Sequence, residues 1–250
     1  MIMRRIVSVI MLTMVAMAAM SQQRKVQNKP YIDLRPLHFG IQIGLNMQDV
    51  ELQNVGPQLL QLPDQEEAVE RTVLCDADTW NPGFSVGVVA DMRLSEHLSL
   101  RIVPTMHFGS KHLVFRDFQD LNDAGMPRET TQDMKNTYIA APVDLKFSAQ
   151  RFNNYRPYIL AGISPMINLS SKDQDYTHLK RYDAMIEVGV GCDYYLPFFK
   201  LIPELKFCIS PFDSFDKNHI NELTDGNKQA FARSINAAYS KMIVLTFYFE

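Results

Sequence analysis

The side chains with the most chemical potential in this chain are ionisable groups set mostly two residues apart: Asp91 and Arg93, Arg101, Asp144 and Lys146, Glu187 and Asp193, Lys200, Glu204 and Lys206. Two carboxylates such as Glu187 and Glu204 could divide general acid and general base work if their environments pushed their pKa values apart. Lys200 and Lys206 share that hairpin, and neighbouring positive charge favours both carboxylates ionised, so pairing is expected instead. Acids and bases are balanced across the set, whereas an ion-selective ring needs one sign of charge. The pattern therefore predicts a structural charge network.

Other chemistry has less support. The six histidines are scattered without HExxH or any tight ligand spacing, and Cys75, Cys192 and Cys208 form no CxxC, so neither a metal site nor a disulfide framework is expected. His107 and Ser110 fall near the end of one proposed strand and could belong to a lipid-modifying barrel hydrolase. No GxSxG surrounds them, and a polar rim pair is the commoner explanation. The expectation is a protein without catalytic residues, cofactor, metal or small-molecule substrate.

The elements that must position these charges are strands. Leu37, Phe39, Ile41, Ile43, Leu45 and Met47 share one face of a period-two pattern, opposite His38, Gly40, Gln42, Gly44 and Asn46. The alternation returns from Phe84 to Leu94 and from Leu98 to Phe108. Further copies run from Tyr138 to Ser148, Tyr158 to Leu169, Tyr182 to Leu196, Phe199 to Ser210 and Lys241 to Phe249, with the phase of the Tyr158 copy open. These eight runs exceed the usual globular strand of about five or six residues and suit a tilted membrane crossing. Connections alternate long (between Met47 and Phe84, and from Gly109 to Lys135) and short (Ser95 to His97, Ala149 to Arg156), as membrane barrels do. The predicted fold is all-β: an eight-stranded antiparallel transmembrane up-and-down barrel with long extracellular loops and short periplasmic turns.

A soluble eight-stranded barrel would turn the apolar face inward. Glycines 40, 44, 87, 189 and 191 lie on the polar face, where a narrow lumen wants small residues, and the apolar face carries almost no charge, so the polar face is predicted inside. Centring the tight turn on Glu96 sets Asp91 opposite Arg101; a shift of two would oppose Arg93 to Arg101. Pro104, Pro142 and Pro203 each remove a ladder hydrogen bond and should mark bulges or strand ends.

At the N-terminus, Arg4 and Arg5 precede an apolar stretch from Ile6 to Met20, followed by Ser21. This pattern predicts a signal peptide over 1–21, a periplasmic arm over 22–36 and the barrel over 37–250. Both termini are then periplasmic, with the barrel in the outer membrane of a Gram-negative cell and lipid as its first partner. A formal net charge of -3, with basic and acidic residues interleaved, argues against nucleic acid. The stretch from Gln48 to Asn81 is rich in Asp and Glu and is expected as a solvated outer loop that exposes Cys75.

Several stretches look familiar together: YIDLRPLHFG from Tyr31 with GLN from Gly44, PGFSVGVVADMRLSEHLSLRIVPTMHFG from Pro82, APVDLKFSAQRFNNYRPYILAG from Ala141, EVGVGCDYYLPFFKLIPELKF from Glu187 and the closing VLTFYFE. They resemble the PorT family, outer-membrane β-barrels associated with type IX secretion in Bacteroidetes. The resemblance covers nearly all of Tyr31 to Glu250. It implies a non-enzymatic accessory of a larger translocon that exports cargo with C-terminal sorting domains, with other type IX components as partners. It supplies no catalytic residues. The alternative is a general outer-membrane barrel serving envelope integrity or surface adhesion through acidic extracellular loops.

Overall fold

The computed structural model describes residues 26–60, 69–77, 79–123, 125–170, 177–222 and 226–250. The expected signal segment lies outside these residues, as do Asp64, Glu66, Glu67 and Asp78 of the acidic stretch. Twelve strands form one antiparallel system among the described residues. They are β1 (Leu37–Asn54), β2 (Pro57–Leu60), β3 (Val69–Ala77), β4 (Asn81–Arg93), β5 (Leu98–Ile102), β6 (Thr105–Leu121), β7 (Pro127–Ala140), β8 (Val143–Ser148), β9 (Tyr155–Asn168), β10 (Tyr182–Tyr195), β11 (Lys200–Ile209) and β12 (Ile235–Phe249). One short helix, α1 (Gly226–Arg233), precedes β12.

β5 with β6, and β7 with β8, each make one interrupted stave, so the wall has eight positions. β1 pairs with β4 on one side and with β12 on the other, the latter from Ile41↔Phe249 to Asn54↔Ile235, which closes the circuit. The first and last described residues, Val26 and Glu250, share one end of the barrel with the short turns, called here the terminal end; the long connections share the hairpin end.

The alternation points the way the glycines suggested. Phe39, Ile41, Ile43, Leu45, Phe84, Val88, Phe147, Ile159, Ile163 and Val190 are exposed on the outer surface, while Gln42, Asn46, Ser85, Arg101 and Asp144 are buried inside. A soluble protein rarely exposes an apolar patch beyond a few hundred Å², so this continuous apolar belt needs lipid. From Leu37 to Met47, steps of about 3.3 Å on a strand tilted by about 40° rise about 25 Å, the height of such a belt.

Two of the three suspect prolines sit at strand breaks. Pro104 separates β5 from β6 and Pro142 separates β7 from β8, and their carbonyls accept from Val88 N–H and Val103 N–H at 3.0 and 3.1 Å. Pro203 does not end a strand. It stays within β11, paired with Phe247 of β12, while the β10–β11 pairing skips Cys192 and Asp193 beside it. A proline can hold its place in a strand if its missing N–H falls on the side where pairing lapses.

The long connections are less loop-like than the sequence suggests. β1 continues to Asn54, and β6 and β7 stay paired to Asp117↔Arg128 and, past a register shift, to Leu121↔Pro127. β3 joins them beside β6. Over these extensions Val50, Val73, Cys75, Leu113, Phe115, Met134, Leu179, Phe215, Phe231, Ile235 and Ala238 pack into one apolar core that caps the hairpin end. Cys75 is therefore buried, not exposed, and burial pushes its thiol pKa up. Acidic residues expected in a solvated loop take partners: Glu51 pairs with Lys241, and Asp76 lies 3.5 Å from Arg116.

Candidate functional site: the barrel lumen

The lumen is filled in layers, each set by strand parity. In the charged layer toward the terminal end, Arg101 of β5 is fully buried. Its Nε and Nη2 donate to Asp91 Oδ2 at 3.1 and 2.9 Å, and its Nη1 donates to Glu204 Oε2 at 2.7 Å. The register Asp91↔Arg101 makes the first contact, as the turn centred on Glu96 predicts. Glu204 Oε1 also accepts the Tyr248 hydroxyl at 2.7 Å, and Tyr158 donates to Oε2. The guanidinium of Arg101 lies between the two phenol rings, 4.9 Å from the Tyr248 centroid and 5.3 Å from that of Tyr158.

The remaining charges extend this knot around the wall. Lys206 Nζ stands 3.2 Å from Glu187, 3.5 Å from Asp144 and 3.8 Å from Glu204, so one ammonium bridges the carboxylates that the sequence left as a possible acid–base pair. Lys146 Nζ reaches Asp193 at 2.8 Å and Asp91 at 3.8 Å. Lys200 Nζ joins Asp193 at 3.7 Å to Glu250 at 2.5 Å. Every charge of the set has an ion partner within 4 Å, which low dielectric strengthens, while Asp144 Oδ1 and both Glu250 carboxylate oxygens accept no hydrogen bond among the described residues.

The structure gathers every residue of the predicted network except Arg93. That side chain stays half-buried at the terminal rim, where Nε donates to the Ser95 carbonyl at 3.2 Å. Three members escaped the sequence reading: Tyr158, Tyr248 and Glu250. Glu250, the last residue after an aromatic-rich strand, turns its carboxylate inward onto Lys200. Parity was the available signal, since Tyr158 and Tyr248 lie an even number of residues from other inward positions of β9 and β12.

Glycines make the room. An added Cβ at Gly191 would stand 2.4 Å from the Tyr158 ring, and one at Gly162 would stand 2.2 Å from Asp144 Oδ1. Neither aromatic nor carboxylate could hold its place against a larger residue.

Above the knot, a polar belt binds β1 to β4 and β6. Asn46 Nδ2 donates to Ser85 Oγ at 2.9 Å, and Ser85 Oγ lies 2.7 Å from His107 Nδ1. His107 therefore faces the lumen, while Ser110 lies at odd spacing on the opposite face of β6, so the two form no rim pair. Toward the hairpin end follows an apolar layer of Tyr138, Ala140, Met166, Met185, Cys208, Met242 and Val244, which charge patterning did not announce. Among the described residues no carboxylate lies within salt-bridge distance of Lys111 there, and its Nζ donates to Ser240 Oγ at 2.9 Å and Tyr138 Oη at 3.2 Å.

The terminal mouth is covered by the chain itself. Residues from Val26 cross it as an ordered arm with a 3-10 turn at Ile32–Leu34. Asn28 N–H donates to Asn154 Oδ1 at 2.8 Å and its Nδ2 to the Tyr195 carbonyl at 2.9 Å; Tyr195 Oη donates to Asp33 Oδ1 at 2.6 Å. Arg151 stacks over the Tyr195 ring at 3.6 Å and bonds the arm's Asn28 and Lys29 carbonyls. With the arm, the charge knot, the apolar layer and the cap in series, the described residues fill the lumen and leave no wide passage among them. Among the described residues no group of three or more His, Cys, Asp or Glu side chains could hold a metal ion.

A family profile described as "Outer membrane protein beta-barrel domain" matches residues 20–216. No curated protein matches the chain. Among solved structures, the outer membrane protein OprG from Pseudomonas aeruginosa is similar at 9% identity and TM-score 0.43, covering 84% of this chain and 91% of that one. Neisserial surface protein A follows at 8% identity and TM-score 0.41, covering 86% and 98%. The attachment invasion locus protein Ail of Yersinia pestis, solved with the heparin analogue sucrose octasulfate, matches at 11% identity and TM-score 0.35, covering 84% and 96%. With the family profile spanning most of the chain, an apolar belt on the outside and the charges within, this protein belongs to the outer-membrane β-barrel domain family.

Proposed function

We propose that this barrel is a non-enzymatic accessory of type IX secretion, acting through its rims and outer surface rather than through its lumen. The filled lumen carries the reading: a protein cargo finds no path through it, so a role in export has to be exercised on another component. The blocks from Tyr31 to Glu250 that resemble PorT direct that role toward cargo with C-terminal sorting domains. In this reading the terminal end faces the periplasm, where the arm and short turns meet translocon subunits, and the cap faces outward.

The test is deletion of the gene followed by mass spectrometry of medium, surface and periplasm. Cargo with sorting domains should accumulate in the periplasm and return to the surface on complementation. Unchanged export would overturn the secretion role. A loss of surface attachment or envelope integrity in its place would assign the function to the outer hairpins, whose β6–β7 tip exposes Phe118, Leu121 and Met126.

A further inference from the structure

The cap holds a pair of histidines that neither the lumen network nor the proposed export role uses. His178 follows β9 and His219 lies in the 3-10 turn Lys217–Glu222 before α1; both are buried, at 6% exposure. Backbone pairing fixes their approach. Lys180 N–H donates to the Ser214 carbonyl at 2.7 Å and Asp216 N–H to the His178 carbonyl at 2.9 Å, around the bridge between Leu179 and Phe215. The chain then turns at Asp216, whose Oδ1 accepts Asn218 N–H at 3.1 Å, and brings His219 back against His178. The two ring centroids lie 5.6 Å apart with planes inclined by 54°.

Neither ring nitrogen of His178 has a hydrogen-bond partner among the described residues. A buried polar group left so costs about 1–3 kcal/mol, and native proteins rarely keep one without a use. The spacing supplies the use. Two imidazoles on one metal ion, at metal–nitrogen distances of about 2.0–2.1 Å, place their ring centres about 5–6 Å apart. Imidazole suits copper, nickel and zinc, whereas calcium and magnesium require oxygen ligands.

We propose that His178 and His219 form a two-histidine site for a late first-row divalent metal ion, which clamps the segment after β9 to the segment before α1. Water completes the coordination, because no third His, Cys, Asp or Glu among the described residues joins the pair. Copper should bind most tightly of the series, followed by nickel and zinc.

The test uses the full barrel, without a histidine tag, refolded in detergent and titrated with Cu2+. The expected result is about one equivalent of Cu2+ per chain, with an electron paramagnetic resonance signal split by two imidazole nitrogens. That signal should be lost in His178→Phe and in His219→Phe and kept in His112→Gln, with heat-modifiable gel mobility confirming that each variant folds. Zn2+ should also slow protease cleavage within 210–234 of the wild type, and Ca2+ should not. A wild-type protein without a nitrogen-coupled signal, or a signal that survives His178→Phe, overturns the site whatever the variants' stability.

Discussion

At the scale of residues, Glu204 is the centre of the lumen. It accepts from Arg101, Tyr158 and Tyr248 and stands 3.8 Å from Lys206. Removing one partner of a buried pair leaves the other charge uncompensated and costs about 3–5 kcal/mol. Glu204→Ala should therefore lower stability by about that amount in guanidinium unfolding from lipid vesicles. Arg93→Ala, which removes only a rim contact, should stay within about 0.5 kcal/mol. Equal effects would show that burial inside the knot does not set the energetics. Gly191→Val is a steric test of the same layer: its side chain must displace Tyr158, and the overpacking should cost about 1–3 kcal/mol. The Asp91–Arg101 pair was legible because a period of two and a tight turn leave few registers. Glu250 was not, because the parity of a terminal residue is fixed only once β12 pairs with both β1 and β11.

At the scale of elements, strands were legible and their heights were not. Alternation identifies β1 from Leu37 to Met47 because lipid on one side and lumen on the other demand opposite chemistry. Above the belt that demand disappears, and β1, β6 and β7 continue into polar sequence held by cross-strand pairs such as Arg116 with Glu129 at 2.9 Å. The cap core could not be read from local periodicity, since Phe115 and Phe231 meet at 5.4 Å from widely separated stretches of the chain. Phe115→Ala should remove about 3–5 kcal/mol from cap packing. The barrel below, with its own ladders and lumen network, should remain folded. The expected outcome is faster protease nicking within 210–234 with unaltered heat-modifiable mobility on a detergent gel. Loss of that mobility would mean that cap and barrel fold as one unit.

At the scale of the whole molecule, closure has three independent layers. The arm lies across the terminal mouth, the charge knot and Met-rich layer fill the wall's interior, and the apolar cap seals the hairpin end. Any one could be displaced while the others hold. Purified barrel in planar bilayers should therefore show no stable channel, and deletion of residues 26–36 should not open one, because Arg101, Glu204 and Lys206 remain locked beneath. Arg101→Ser combined with Glu204→Ser removes both charges together, leaving Asp91 with Lys146 and Lys206 with Asp144 and Glu187. It should still leave the Met layer and cap in place, and conductance should stay at baseline. A steady ionic current from the wild type would contradict the filled lumen and return the protein to the class of pores. Current only in the arm-deleted form would make the arm a gate, and the export role would then have to be sought inside the barrel.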